Sequence, residues 1–246
     1  MAGTQPMERF VPLQGAEIYI ALQRTSYQHP ISRRFPKKLR VGPLKLRLAP
    51  FYDKWVLPLI ERRRGDAIFA KYFDDMSIEY ESIKGTLPPR ANNILDVGCG
   101  IAGIDILLSS HYNRTANIYL VDRSELSKIR YGFGKSNTYY NSLDLTREFL
   151  LCNGVPNSQI VTIDIGRNPF PSNVSFDLIL SLLSWGFHYP VSTYLDEVHD
   201  ALAQGGVLIL DLRRKANDKR QLAEKFGAEP EVIYKTDKFE RVLVRK

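Results

Sequence analysis

From residue 93 onward, short apolar runs alternate with stretches in which apolar residues recur every three or four positions. The runs Asn93 to Val97, Ile118 to Val121, Gln159 to Ile163, Phe176 to Ser181 and Val207 to Leu212 predict five strands. Between them, Ile101 to Ser110, Leu143 to Asn153 and Val191 to Leu202 carry helical spacing, and Gly154-Val155-Pro156 stops the second of these. Strands regularly separated by helices predict an α/β fold with a doubly wound, mostly parallel sheet. The tail adds a helix over Asp218 to Phe226 and two strands, Glu231 to Thr236 and Arg241 to Val244. Their tight Asp237-Lys238 link favours antiparallel pairing and brings the sheet to seven strands.

The front of the chain reads differently. Between Phe51 and Thr86, Trp55, Leu59, Ile60, Ile68, Tyr72, Met76 and Tyr80 follow helical spacing. Pro58 and Arg62-Arg63-Arg64-Gly65 divide this region into two or three helices, and Pro88-Pro89 closes it. Ahead of it, Pro30, Pro36, Pro43 and Pro50 exclude a long helix and predict an extended arm. Three parts follow: an arm over 1–50, a helical cap over 51–90 and an α/β domain over 91–246.

Charge singles out the arm. The chain carries a net charge of +7. No acidic residue lies between Glu17 and Asp53, while Arg24, Arg33, Arg34, Lys37, Lys38, Arg40, Lys45 and Arg47 do. The rest is close to neutral. Such an arm suits the phosphates of a nucleic acid or an anionic lipid surface. The competing reading is a solvated extension wrapping the domain, because Lys38 to Leu48 alternates like a half-buried edge strand.

Composition narrows the class. With 44% hydrophobic and 25% charged residues the chain is a globular protein, not a disordered or fibrous one. No apolar run reaches the roughly 18 to 20 residues of a membrane helix. Glu8, Arg9 and Glu17 interrupt any secretory signal near the start, so a cytoplasmic address is expected. Cys99 and Cys152 are too few for a disulfide framework or a zinc site and read as reduced thiols; no metal is expected.

The chemistry gathers at the turn after the first predicted strand, Asp96-Val97-Gly98-Cys99-Gly100-Ile101-Ala102-Gly103. In an open parallel sheet, ligands bind beyond the carboxyl ends of the strands at this point. Gly98 and Gly100 permit a sharp turn and close approach of a ligand, and Gly103 close packing of helix on strand. Asp96 would repel a pyrophosphate and attract an ammonium group, so a cationic nucleotide-like ligand fits better than a dinucleotide.

Here the chain resembles the class I, Rossmann-like methyltransferases that use S-adenosylmethionine. Ile94-Leu95-Asp96-Val97-Gly98-Cys99-Gly100 is similar to the family's first motif. The resemblance continues through Asp122, at the family's position for an acidic residue on the ribose hydroxyls, and Asp164, near its adenine site. It extends to Phe176-Asp177-Leu178-Ile179-Leu180-Ser181 and to Leu202-Ala203-Gln204-Gly205-Gly206, the family's turn into the fifth strand. It implies S-adenosylmethionine as cofactor, held by Asp96, Gly98, Cys99, Gly100, Gly103, Asp122, Arg123, Asp164, Ile165 and Ser181. Cys99 reads as a small packing residue within the loop, because no cation lies nearby in sequence to make a thiolate.

Methyl transfer to a hydroxyl needs a positioned acceptor and a base. The segment after the fourth strand, Ser181 to Pro190, is predicted as a loop carrying His188 as general base and Trp185, Phe187 and Tyr189 as an acceptor wall. The alternative is a hydrophobic lid, with His188 capping the helix that follows. Arg213, past the fifth strand, is placed to hold an anionic acceptor. The family's base-amine methyltransferases carry Asp or Asn, then Pro-Pro and an aromatic residue here. Ser181-Leu182-Leu183-Ser184 departs from that pattern and points to an acceptor oxygen, ring nitrogen or carbon. The leading expectation is transfer to an oxygen of a small-molecule or glycan-like acceptor. Nucleic-acid methylation through the basic arm is the alternative, and a noncatalytic cofactor-binding subunit the third.

Overall fold

The computed structural model describes residues 9–27, 38–41, 44–47, 63–124, 141–213 and 218–246. Its main sheet is formed by β3 (Asn93–Val97), β4 (Asn117–Asp122), β5 (Ile160–Asp164), β6 (Phe176–Ser181), β8 (Leu202–Arg213), β9 (Glu231–Lys235) and β10 (Phe239–Arg245). The spatial order is β5-β4-β3-β6-β8-β10-β9. Pairing is parallel from β5 through β8, and β10 is antiparallel to both its neighbours. This is the seven-stranded, doubly wound sheet expected, and its order reverses beside β3, which puts the glycine turn at the switch point.

Alternation along the strands builds two cores. Ile94, Ile118, Leu178, Ile209 and Leu243 face one side, where α1 (Ala16–Gln23), α2 (Gly65–Lys84), α3 (Gly103–His111) and α4 (Leu143–Cys152) pack. Leu95, Val97, Ile179, Leu208 and Leu210 face the other, covered by α5 (Leu195–Ala201) and α6 (Asp218–Phe226). In α2, Ile68, Phe69, Tyr72, Met76, Tyr80 and Ile83 are buried at three and four residue steps. Each such side chain contributes about 1.5–3 kcal/mol by leaving water. α2 is locked further by Arg241 of β10, which is 1% exposed. Its guanidinium donates to both oxygens of Asp211 at 2.7 and 2.8 Å and to Ser82 Oγ at 2.7 Å.

Several boundaries differ from the sequence reading. α1 falls inside the predicted arm, its apolar run Ile18 to Leu22 being only long enough for two turns. Gly65 opens α2 where the Arg62–Gly65 break was expected; the predicted helices over 51–62 lie outside the described residues. Lys38–Val41 (β1) and Leu44–Arg47 (β2) pair with each other as an antiparallel hairpin and are absent from the main sheet. The rest of the basic segment lies largely outside the described residues. The predicted helix over Val191 to Leu202 is a 3₁₀ turn at Val191–Thr193 followed by the short α5. Leu202 is already strand, because it pairs with Phe176 and is buried. Among the described residues no helix is long and apolar enough to cross a membrane.

Candidate active site

The turn after β3 is held from several directions at once. Gly98 and Gly100 adopt φ of 81° and 55°, and Ala102, just before α3, also lies in the left-handed region at 58°. The Gly98 N–H donates to Val121 O at 2.7 Å, which anchors the turn to β4. Gly100 is gripped at both ends: its N–H donates to Asp122 Oδ2 at 2.8 Å, and its carbonyl accepts from the Thr146 hydroxyl at 2.8 Å. The Gly103 N–H, left without an intrahelical partner at the start of α3, donates to Tyr72 Oη at 2.9 Å. A methyl group on Gly103 would meet the Tyr72 ring at 2.6 Å, so glycine is required here by space.

Asp122 is the hub. Besides Gly100 it accepts from Arg123 N–H at 2.6 Å and from Asn141 Nδ2 at 2.9 Å. A carboxylate offers about four lone-pair sites, so one is left over for a ligand hydroxyl. Burial raises its pKa, while the donors from Gly100, Arg123 and Asn141 pull it back down. Asp164, at the end of the neighbouring β5, accepts from Gly166 N–H at 3.0 Å and Ser124 N–H at 3.4 Å, with Arg167 3.4 Å away. The Ile165 N–H donates to Asp122 O at 3.0 Å, which ties the two strand ends together.

Asp96, next to last in β3, lies beneath the turn and is 3% exposed; Asp105, in the first turn of α3, is 0% exposed. Neither Asp105 oxygen has a hydrogen-bond partner among the described residues, and the two carboxyls act on each other by charge. Burial raises the pKa of both, and Asp96 is raised further by the charge of Asp105, while Asp105 is pushed up to about 7. Cys99 is buried, and burial with the charge of Asp122 pushes its thiol well up, so it is a neutral packing group.

The segment after β6 is a strand, β7 (Ser184–Tyr189), rather than the loop predicted from sequence. It packs against β8. Gly186, at φ 85°, lets it pass so close to β8 that an added methyl would sit 3.0 Å from Asp211 O. Two sequence assignments change as a result. Ser181 is fully buried, donating to Val97 O at 2.7 Å and accepting from Trp185 N–H at 2.9 Å, so it fixes the crossing between strands and has no surface for a cofactor. Trp185 is also fully buried, its Nε1 donating to Val191 O at 2.9 Å; it is core, not an acceptor wall.

The remaining aromatic residues of β7 divide between two places. Ser184 lies over the glycine turn, its Oγ 1.8 Å from where a Gly98 methyl would be, and its hydroxyl is 3.4 Å from Tyr189 Oη. Phe187 extends to β10, its ring 6.2 Å from Phe239, with the Arg213 guanidinium 5.0 Å from its centre and the His188 ring edge-on at 5.0 Å. Since Arg213 ends β8, two strands from β3, it stands about 10 Å across the sheet from the turn at ~4.8 Å per strand. His188 is exposed and does not cap the following helix. Its surroundings lower its pKa, first by desolvation and then by the charge of Arg213. Among the described residues no group of His, Cys, Asp and Glu could hold a metal ion.

Tyr72, Gln23, Asp105, Asn141 and Thr146 were not singled out from sequence. Tyr72 showed only as a core position of a helix, and the others sit outside any spaced motif. Gln23 of α1 lies across the turn, 2.7 Å from where a Gly100 methyl would be.

A positive-φ glycine turn at the switch point, carboxylates at the ends of three adjacent strands and an uncommitted lone pair on Asp122 together fit a nucleoside bearing an ammonium group. That combination suits a class I, Rossmann-like methyltransferase domain, with S-adenosylmethionine as cofactor. Residues 95–210 match the family model of the methyltransferase domain. Among solved structures, the chain is similar to a candidate O-methyltransferase from Nostoc punctiforme, with TM-score 0.51 and 13% identity over 77% of this chain and 60% of that one. It also matches a 16S rRNA N2 G1207 methyltransferase from T. thermophilus in complex with AdoMet and guanosine, at TM-score 0.46 and 18% identity, covering 70% of this chain and 42% of that one. A precorrin-6y C5,15-methyltransferase from Geobacter metallireducens matches at TM-score 0.47 and 14% identity, over 70% of this chain and 87% of that one. The chain thus spans 60% of the first of these structures and less than half of the second. No curated protein sequence matches it.

Proposed function

We propose that the protein transfers a methyl group from S-adenosylmethionine to an oxygen of a small-molecule or glycan-like acceptor, with His188 removing the acceptor proton. The observation that carries this reading is the grouping of Phe187, His188 and Arg213 at the end of β7 and β8. Among the described residues, the His188 ring has no hydrogen-bond partner, and its lowered pKa keeps it neutral, hence able to accept a proton, at pH 7. Phe187 offers an apolar face, and Arg213 a charge suited to a carboxylate or phosphate on the acceptor.

The cofactor supplies the electrophilic methyl group on a sulfonium. The chain's part is to hold the nucleoside and the acceptor. The turn is fixed by Asp122, Thr146 and Tyr72, so its backbone is organised before the ligand arrives. Asp122 accepts a ribose hydroxyl through its remaining lone pair, and Asp164 and Ile165 border the base. Ser184 and Tyr189 stand between the turn and the Phe187 group, where the acceptor oxygen has to approach.

The test is incubation with methyl-labelled S-adenosylmethionine and fractionated cell extract. Label entering a small-molecule fraction, and lost with His188→Ala while cofactor binding persists, supports the reading. Label entering RNA instead would move the assignment to the basic arm. Transfer that survives His188→Ala would remove the base role.

A further inference from the structure

Asp105, in the first turn of α3, takes no part in holding the nucleoside. It is fully buried, and neither carboxyl oxygen has a hydrogen-bond donor among the described residues. A buried, unpaired carboxylate is so costly that such groups take up a proton or a partner. The group that meets it is another carboxyl, Asp96. Two carboxylates only repel; the contact becomes a hydrogen bond when one of them carries a proton. Among the described residues no cation stands in that proton's place. Asp122 on β4 and Glu79 on α2 act on Asp96 with further negative charge, and Tyr72 on α2 is a neutral phenol whose pKa burial raises. Cys99 is neutral, and Arg24 is engaged by Glu79 at 2.8 Å.

We infer that Asp96 and Asp105 share one proton beneath the glycine turn and that the ammonium group of the cofactor replaces it, so that Asp105 positions the amino-acid end of the cofactor and binding expels a proton. The exchange is balanced in charge. Before binding, one proton and two carboxyl groups leave a single negative charge on the pair. When the ammonium arrives at Asp96 the shared proton passes to solvent, both carboxyls are ionised and the cofactor's positive charge stands where the proton's was. No additional net charge is buried, which is the condition for the exchange to be cheap in a low-dielectric site. The nucleoside contacts at Asp122 play no part in it.

The inference rests on the cofactor assignment, and the experiment separates the two. Isothermal titration calorimetry of the whole chain with S-adenosylhomocysteine at pH 7 is run in buffers of different ionisation enthalpy, and the slope counts protons exchanged. S-adenosylhomocysteine lacks the sulfonium, so its amine stays protonated at pH 7. The expected result is release of a substantial fraction of one proton per ligand bound. 5′-Methylthioadenosine, which has the nucleoside but no amino acid, should bind with heats independent of buffer. In Asp105→Asn an amide donates to an ionised Asp96, so the ligand should still bind but without proton release. Buffer-independent heats for S-adenosylhomocysteine, or the same release with 5′-methylthioadenosine or with Asp105→Asn, would overturn the inference. Failure of either ligand to bind the native chain would instead sink the cofactor assignment beneath it.

Discussion

The Tyr72 hydroxyl, on a helix that precedes the α/β domain, accepts the Gly103 N–H at 2.9 Å and so caps the helix leading out of the glycine turn. The Arg24 guanidinium lies 5.7 Å from the centre of the Tyr72 ring and pairs with Glu79. Burial opposes that charge, but the Glu79 carboxylate outweighs it and keeps Arg24 protonated. The front helices therefore shape the turn directly.

Removing this cap should be felt in stability. Tyr72→Phe leaves the Gly103 N–H buried without an acceptor, at a cost of about 1–3 kcal/mol. Gly103→Ala forces a methyl against the Tyr72 ring and costs a similar ~1–3 kcal/mol by overpacking. Urea unfolding measures both, and an unchanged midpoint for either variant would refute the packing described.

Gly98 is constrained twice, by φ of 81° and by Ser184. Gly98→Ala should abolish detectable cofactor binding. Adding Ser184→Gly opens the space but leaves the backbone strain of about 1–2 kcal/mol, so the double variant should recover binding only in part. Full recovery would mean that the backbone conformation is not what matters.

For Asp122→Ala, loss of charge-assisted bonds of about 1.5–3 kcal/mol predicts cofactor affinity lower by roughly 10- to 100-fold. Because the substitution also frees the Gly100 N–H, thermal denaturation of the ligand-free variant should show a lowered midpoint. Titration calorimetry that finds native affinity would exclude Asp122 from the site.

His188 should titrate below its ordinary pKa of 6.5. With the imidazole as base, the rate should rise as pH increases through that lowered value and be level at pH 7 and above. Arg213→Ala removes a nearby positive charge and should shift the His188 titration upward, which proton NMR of the ring reads directly. A rate that falls over the same range would assign His188 the opposite role.

The Asp96–Asp105 pair also predicts how stability depends on pH. Both carboxyls have pKa values raised above the unfolded value of 3.8, so between that value and neutrality the folded chain binds more protons than the unfolded one. Their contribution is therefore full below pH 3.8 and is lost as pH rises through the raised values, near 7 for Asp105. The ligand-free melting temperature should decline from pH 6 to 8, and Asp105→Asn should flatten that decline.

Much of the frame was legible because the signals are local. β3, β6 and α6 fall where apolar runs and helical spacing predict them to the residue, and the glycine turn announces itself by composition. The site's supports were not legible, since they depend on which side chains packing brings together. Tyr72 meets Gly103 across 31 positions and Thr146 meets Gly100 across 46. The loop expected after β6 became β7 because Gly186 can adopt a conformation that carries the chain closely over β8, a choice that no periodicity reveals. Trp185 and Ser181 then turn inward.

Arg241 joins β10, β8 and α2 at a point where almost no water reaches. A protease that cuts between α2 and β3, around Thr86, would therefore leave two pieces that migrate together under native conditions and part only in denaturant. Genetically, the same bond means that residues near the carboxyl end of the chain and those of α2 have to be inherited as a unit: exchanging the front helices with those of another methyltransferase domain should fail unless the partners of Arg241 travel with them.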